Sequence, residues 1–289
     1  MELLRQYQEC NEEEENEYDN SEKLETAEHT MELSELAQVM MNYLGCECKY
    51  FPPTADDDSI MSAYKYVKRN GARKGFVPVL IQVDELLYEN LVINSDPNHN
   101  ELDKHVFDPD KVIEYRNQML SAPMKDGKTV LEERICWCKA RAKANNLDWE
   151  KEILGEIRGG YRSYRFVSHW DFIMDMTYPL ILAKIPVKNP WEIFAYLPFS
   201  SWNDSLDISE LMAVAKYWFK QYGAVPSVIT YDALEFELPA PIPKEKAMEA
   251  AIEQYGFCPD TIDQGPVDMV VGNLADILRK STVWYFRWN

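Results

Sequence analysis

The sequence predicts an α+β protein in which helices pack on a mixed or antiparallel sheet. Two patterns predict this class. Some segments repeat apolar residues every three or four positions, as amphipathic helices do, and other short apolar runs are bounded by Pro, Gly or Asn, as strands are. Hydrophobic residues make up 46% and aromatic residues 12% of the 289 residues, which is enough for a packed core. The composition therefore excludes a wholly disordered chain.

Three parts are predicted along the chain. Residues 1–30 form an acidic leader, residues 31–125 a smaller N-terminal α/β half, and residues 126–289 a C-terminal α+β domain. The turn-rich stretch 95–127 contains three prolines and indicates the boundary between the two larger parts.

The N-terminal half shows alternating helix and strand patterns. Gly45 and Gly71 follow amphipathic segments and indicate helix ends, and Pro52-Pro53 closes a strand. The predicted elements are a helix over 31–44, a strand over 46–51, a helix over 58–70, a strand over 76–83 and a helix over 109–120. Strand, helix, strand is the order of a βαβ unit, and the pattern does not decide whether its two strands are parallel.

The C-terminal part has more regular patterns. Asp207 and Glu210 form a capping signature for a helix that Gly223 ends. Glu235 and Glu237 alternate with apolar residues, which predicts a strand with one polar side. The predicted elements are a helix over 129–145, a hairpin over 154–168 that turns at Gly159-Gly160, buried strands over 179–186 and 191–197, a helix over 208–222, strands over 225–231 and 234–238, a helix over 244–255, a helix that Pro266 opens, and a terminal strand over 282–289.

Negative charge is concentrated in the N-terminal leader. The net charge is −19, and residues 1–35 hold 13 acidic and two basic residues, so the rest of the chain carries −8 (−19 + 11). We interpret the leader as a solvated tail; the alternative is an arm that occupies a basic surface of a partner. Nucleic-acid binding is not expected, because phosphate neutralisation needs a concentrated stripe of Lys and Arg.

The sequence favours a cytoplasmic protein that does not bind membranes. It contains no run of about 18 apolar residues and no basic, apolar secretion signal at its start. Six cysteines in such a chain are expected to be reduced thiols. Cys46 and Cys48 should face the same side of a strand, whereas Cys136 and Cys138 should lie about 200° apart on a helix. Four thiolates would not converge, so we predict no metal site and no cofactor.

Aromatic and proline motifs recur through the last 105 residues. They are Pro190-Trp191-Glu192, Leu197-Pro198-Phe199, Trp202-Asn203, Lys216-Tyr217-Trp218, Tyr222-Gly223-Ala224-Val225-Pro226, Leu234-Glu235-Phe236, Phe257-Cys258-Pro259-Asp260, Asp263-Gln264-Gly265 and Trp284-Tyr285-Phe286. In this order they resemble the bacterial domain-of-unknown-function family 4253, most closely over 185–289. The chain departs from that family at Tyr231, where a His is frequent, and at Arg287-Trp288-Asn289, where two Trp and an acid are usual. The resemblance implies no agreed activity; it implies an immunity or partner-binding role beside toxin genes.

Eight side chains of this family block are candidates for a ligand or partner site. They are Trp202, Asn203, Asp232, Glu235, Asp260, Gln264, Trp284 and Trp288. Paired carboxylates can divide acid and base roles or hold a cation, and tryptophans with amide anchors can line a ligand slot. Such acids more often cap helices and turns, and so many tryptophans more often pack in a core. The four histidines lie outside the block, so we assign no catalytic residue.

The favoured hypothesis is a non-enzymatic protein that binds another protein. With the family resemblance, this becomes an immunity protein that neutralises a cognate bacterial toxin, and the acidic charge suits a basic toxin. One alternative is a hydrolase-type enzyme that uses the clustered carboxylates Asp232 and Glu235 with Asn203. A second alternative is a small-ligand-binding module with an aromatic slot.

Deletion of residues 1–30 tests the interpretation of the leader as a tail. Because a solvated tail buries little apolar surface, we expect the melting temperature to change by less than about 2 °C. Scanning calorimetry of the full and truncated chains measures this change. A fall of several degrees would show that the leader docks on the folded protein.

Overall fold

The protein is built on a six-stranded mixed sheet, here described from a computed structural model that covers residues 35–96, 107–199, 206–266 and 269–288. The strands are β1 (Cys48–Phe51), β2 (Val77–Gln82), β3 (Trp170–Asp171), β4 (Met176–Thr177), β5 (Leu180–Ile185), β6 (Val225–Ile229), β7 (Ala233–Glu237) and β8 (Val283–Arg287). The sheet order is β1-β5-β2-β6-β7-β8, and β3 pairs with β4 in a separate hairpin. Strands β2 and β6 are parallel, while the other pairs are antiparallel. The predicted α+β class is confirmed.

Helices account for most of the remaining described chain. They are α1 (35–44), α2 (Asp58–Lys74), α3 (Glu85–Ser95), α4 (Pro109–Ser121), α5 (Gly127–Ala144), α6 (Ile208–Tyr222), α7 (Ala247–Phe257), the short α8 (Asp260–Asp263) and α9 (Val271–Leu278), with a π-helical segment at Trp149–Leu154. The predicted cap of α6 is present, since Asp207 Oδ1 accepts the Glu210 N–H at 2.8 Å. Gly223 ends the helix with a φ of +70°, a conformation that favours glycine. No helix in these described ranges is long and apolar enough to cross a membrane.

Strand β5 joins the two predicted parts of the chain. It lies between β1 and β2 and pairs antiparallel with both, so β1 and β2 run in the same direction without touching. The helix α2 connects them and packs on β2 and β5. The sheet therefore contains strands from both sides of residue 125, and the division into 31–125 and 126–289 stays a prediction. The leader lies outside the described residues.

The larger core covers one face of the sheet and is centred on Trp218 of α6. The Trp218 ring stacks on Phe286 with 5.6 Å between ring centroids and 7° between planes. Three further rings meet it edge-on, those of Phe257, Trp284 and Phe236, at 4.9, 5.3 and 5.7 Å. The indole N–H donates to Glu253 Oε2 at 3.0 Å, so the polar atom of this ring is satisfied. Helices α6 and α7 are thus joined to each other and to β8.

A smaller core covers the opposite face of the sheet. Ile60 and Tyr64 of α2, together with Phe166 from the irregular 155–168 segment, pack on Leu80 and Val228 of the strands. Because both faces are covered, the predicted polar side of β7 is wrong at Glu235, whose side chain is fully buried. Period-two alternation identifies two sides of a strand, but it does not show that the second side meets water.

The hairpin predicted over 154–168 is absent from the described structure. Gly159 and Gly160 instead lie against α9, where a Cβ at Gly160 would be only 2.4 Å from Ile277 N. The Gly160 N–H donates to Asp276 Oδ2 at 2.9 Å, and Asn273 Nδ2 donates to Arg158 O at 2.9 Å. Gly160 therefore allows close approach of two backbones, and Gly159 adopts a φ of +76° that favours glycine, without forming the turn of a hairpin.

Three other predictions need correction. The segment predicted as a strand over 191–197 forms a 3₁₀ helix at Pro190–Ala195. Glu192 stabilises the start of this helix, because its Oε2 accepts the Asn189 N–H at 3.0 Å. Helix α3 was not predicted, although Asp84 caps it by accepting the Leu87 N–H at 3.0 Å. The last helix begins at Val271, five residues beyond Pro266.

Replacement of Trp218 tests the role assigned to the aromatic core. Trp218→Ala removes a buried ring and leaves Glu253 without one of its donors, so we expect the free energy of unfolding to fall by about 3 to 5 kcal/mol. Urea denaturation measures this loss. Tyr66→Ala is the matched control, since Tyr66 is 70% exposed and its loss should cost about 0.5 kcal/mol or less. Similar costs for the two variants would contradict the assignment.

Candidate functional site

The structure describes six of the eight predicted site residues. Trp202 and Asn203 lie outside the described residues. Asp260 begins the short helix α8, as expected of an acid at a helix start, and Gln264 follows that helix at the surface. The role of the set as a site stays a prediction.

The two C-terminal tryptophans lie in the larger core. Trp284 packs edge-on against Trp218 and Tyr222, and Trp288 packs against Phe199 and Phe257. Both are almost completely buried. Among the described residues neither indole N–H has a hydrogen-bond partner. Their packing corresponds to the core role that was the alternative to a ligand slot.

Asp232 lies at the carboxyl end of the parallel pair β2 and β6, in the turn between β6 and β7. Its Oδ2 accepts a hydrogen bond from Arg287 Nε at 2.7 Å, and its Oδ1 accepts one from Thr230 Oγ1 at 3.0 Å. The backbone oxygen of Asp232 also accepts the Trp288 N–H at 2.9 Å. Ligands often bind at this edge of open sheets. Here the carboxylate is engaged on both oxygens, so it holds the turn against β8.

Glu235 lies on β7, and its carboxylate has different partners from that of Asp232. Its carboxylate accepts the Val167 N–H at 3.0 Å, the Ser168 N–H at 3.2 Å and the Ser168 hydroxyl at 2.6 Å. Burial raises the pKa of Glu235 to about 7, although these three donors act in the opposite direction. Glu235 therefore anchors the end of the 155–168 segment to the sheet. Sequence patterns gave no signal for this contact, which joins positions 67 residues apart.

The β3–β4 hairpin follows directly after this anchor. Two hydrogen bonds hold its base to the loop that precedes α2: the Thr177 N–H donates to Thr54 O at 2.9 Å, and the Thr54 N–H donates to Thr177 Oγ1 at 3.1 Å. His169 Nε2 lies 2.9 Å from Asp57 Oδ2. Burial lowers the pKa of His169 against the effect of Asp57, so the ring is neutral at pH 7 and donates through Nε2. The hairpin is thus fixed at its base.

The end of this hairpin exposes three consecutive large apolar side chains. Phe172, Ile173 and Met174, here called the apolar tip, are 42%, 79% and 56% exposed. The tip is ordered by Asp171, whose Oδ1 accepts the Ile173 N–H at 2.9 Å and the Met174 N–H at 3.1 Å. Asp175 completes the turn with a φ of +50°. The sequence does carry a signal for this loop, because an apolar triplet lies between two aspartates that favour turns.

Three consecutive acidic residues lie beside the base of the hairpin. Asp56, Asp57 and Asp58 place carboxylate oxygens within 4.8 Å of one another at the start of α2. Asp56 Oδ1 already accepts the Asp58 N–H at 2.9 Å, and Asp57 is engaged by the histidine, so this cluster has structural partners. The prediction of no metal stays a prediction. Burial, followed by the charge of Asp171, a residue of β3 itself, raises the pKa of Tyr178 to about 12.

The pKa of Glu235 predicts a pH dependence of stability. A carboxyl group with a folded pKa of about 7 and an unfolded pKa near 4.5 holds its proton longer in the folded state, so the free energy of unfolding falls as pH rises from 4.5 to 7. The total loss is about 3 kcal/mol. In Glu235→Gln this contribution is absent, and urea denaturation at pH 5 and pH 8 should show a correspondingly smaller difference between the two conditions. Glu237→Gln, on the same strand but partly exposed, controls for loss of a carboxylate. Equal pH dependence in the wild type and Glu235→Gln would contradict the assignment.

Comparison with known proteins found a family match for one part of the chain. Residues 181–289 match the sequence model of the family described as domain of unknown function DUF4253. The match confirms the resemblance for nearly all of β5 and every later element, whereas β1, α2, β2 and the β3–β4 hairpin precede it. Searches of curated proteins and of solved structures found no match. The chain thus carries a DUF4253-like segment over its last four sheet strands.

Proposed function

We propose that this protein acts by binding another protein, and that the apolar tip of the β3–β4 hairpin is the central contact. The supporting observation is the exposure of Phe172, Ile173 and Met174 side by side. Single exposed apolar residues are ordinary on protein surfaces and need no explanation. Three exposed apolar residues in a row at the end of a hairpin form a contiguous apolar surface, which is typical of interaction sites.

The construction of the hairpin favours binding. The Asp171 carboxylate fixes the backbone of Ile173 and Met174, and Thr54 fixes the stem at Thr177. A loop that is already ordered loses little conformational entropy when it binds, so more of its burial energy becomes affinity. Burial of three such side chains supplies roughly 1.5 to 3 kcal/mol each. A partner pocket that accepts the tip would therefore gain a strong anchor.

Charge around the tip indicates the kind of partner. Asp171 and Asp175 flank the tip, and Asp56–Asp58 lie at the start of α2 beside the stem. The whole chain carries a net charge of −19. Because like charges repel and opposite charges speed association, the partner surface should present basic groups around an apolar pocket. We extend the proposal to neutralisation of a basic toxin, the role that the family resemblance implies.

The two alternatives have less support from the described side chains. An enzyme that uses Asp232 and Glu235 would require a shared cleft, but the first carboxylate pairs with Arg287 and the second with Ser168 on a different part of the sheet. A ligand slot between Trp284 and Trp288 would require open space, but both rings are packed. A turnover activity that disappears in Asp232→Ala would favour the enzyme.

Replacement of the apolar tip tests the proposal. The variant Phe172→Ser/Ile173→Ser/Met174→Ser should bind the product of the neighbouring gene at least about a hundredfold more weakly than the wild type, because it loses the buried anchor. Calorimetric titration of the two purified proteins measures this loss. The melting temperature should change by less than about 2 °C, since the three side chains are exposed.

A matched control removes the same amount of exposed apolar surface elsewhere. Leu86→Ser/Ile93→Ser/Ile113→Ser changes three exposed residues on α3 and α4 and should keep wild-type affinity. Equal binding by the tip variant and the wild type would refute the proposal, as would equal weakening by both triple variants.

A further inference from the structure

Cys46 and Cys48 form a pair of contacting thiols at the start of β1. Their Sγ atoms are 3.8 Å apart, and both residues are half-buried. The strand predicted over 46–51 begins only at Cys48, so Cys46 lies in the bend before it, yet the two sulfur atoms still meet. Glu47 between them forms an ion pair with Lys184 of the neighbouring strand β5. The intervening side chain is thus directed to another partner while the two sulfur atoms meet.

The backbone brings the two residues close enough for a covalent bond. Gly45 ends α1 with a φ of +61°, and Cys48 begins β1 opposite Ala183. Two residue steps of extended chain span about 6.6 Å. Disulfides bridge Cα atoms separated by roughly 4.4 to 6.8 Å. Rotation of the two side chains can therefore close the remaining gap between the sulfur atoms.

A buried arginine makes the surroundings of this pair favourable to a thiolate. The carbonyl groups at the C-terminus of α1 carry partial negative charge that would disfavour an anionic sulfur. Arg116 donates to two of them, to Tyr43 O at 2.8 Å and to Leu44 O at 3.2 Å. A Cβ at Gly45 would lie 3.8 Å from Arg116 Nη1, so the guanidinium lies against the residue that precedes Cys46.

The two thiols differ in acidity. The hydrogen bond with Cys48, followed in the same direction by the charge of Arg116, lowers the pKa of Cys46 against the opposing effect of burial. The same hydrogen bond and burial raise the pKa of Cys48. One sulfur is therefore the better thiolate and the other keeps its proton, which is the division found between an attacking and a resolving cysteine.

We propose that Cys46 and Cys48 are a redox-active dithiol that closes to a disulfide by exchange with a small-molecule disulfide. The Cys46 thiolate attacks one sulfur of the small molecule, and the departing thiolate takes a proton. The Cys48 thiol then loses its proton and attacks Cys46, which releases the second small thiol. Two electrons and two protons pass from the protein to the small disulfide, which becomes two thiols.

Other cysteines of the described chain lack this arrangement. Cys136 is exposed, but its neighbour Cys138 is buried on another side of α5. Cys258 is buried and its thiol donates to Arg287 O at 3.1 Å, and burial raises its pKa to about 12. Cys136 is therefore a suitable internal control, because reagents reach it and no other thiol of the described ranges lies beside it to resolve its adduct.

Treatment of the reduced full-length protein with oxidised glutathione tests the proposal. After alkylation and proteolysis, mass spectrometry should find the wild-type peptide with Cys46 and Cys48 lighter by two hydrogen atoms and free of glutathione. In Cys48→Ser, glutathione should remain on Cys46. In Cys46→Ser, the reaction at Cys48 should be at least about tenfold slower than that of Cys46 in the wild type. Cys136 should carry glutathione in all three proteins.

Two results would overturn the proposal. One is a wild-type protein that keeps glutathione on Cys46 or Cys48, since the pair would then fail to resolve the mixed disulfide. The other is reaction at Cys136 with none at Cys46 and Cys48. Both serine substitutions are close in size to cysteine, so we expect the variants to keep the wild-type melting temperature, and its measurement controls for loss of folding.

Discussion

The Trp218 ring of α6 stacks on Phe286 of β8, and its N–H donates to Glu253 of α7. A buried indole N–H and a buried carboxylate are each costly alone, so they are stable in this core only when they meet. The contact therefore sets how α6 and α7 lie on the sheet. Tyr217 adds a second donor to the same carboxylate at 2.8 Å. The packing of this face therefore depends on the hydrogen bonds to a single buried carboxylate, that of Glu253, inside an aromatic cluster.

Different elements cover the two faces of the sheet. With α6 and α7 on one side, the other side of the sheet is left to α2 and the irregular 155–168 segment. That segment has no strand partner, so its backbone groups bond to side chains and to α9 instead. Glu235 accepts the last of these donors just before the hairpin begins. A buried carboxylate thereby determines where the apolar tip leaves the surface.

The sequence identified elements whose signals are local. The Asp207 cap and the Gly223 terminus of α6 depend on neighbouring residues, and both were predicted. Glu235, Gly160 and the pairing of β5 between β1 and β2 depend on contacts between distant parts of the chain, which periodicity does not contain. The eight candidate site residues came from acids and rings in one block of sequence. Those described serve mainly in turns and cores, whereas the apolar tip and the dithiol lie outside that block.

The two proposed sites lie outside the segment that matches the family, whereas the core that supports them lies largely inside it. The family match begins at residue 181 and contains α6 with Trp218, α7, and β7 with Glu235. The apolar tip at 172–174 and the thiols at 46 and 48 precede it. They attach to the matched part through β5, which pairs with β1 and follows the hairpin directly. A rigid sheet can carry different attached loops without repacking its core, since loops tolerate change better than buried strands. A protein that shared only the matched segment would therefore have this scaffold without this contact surface.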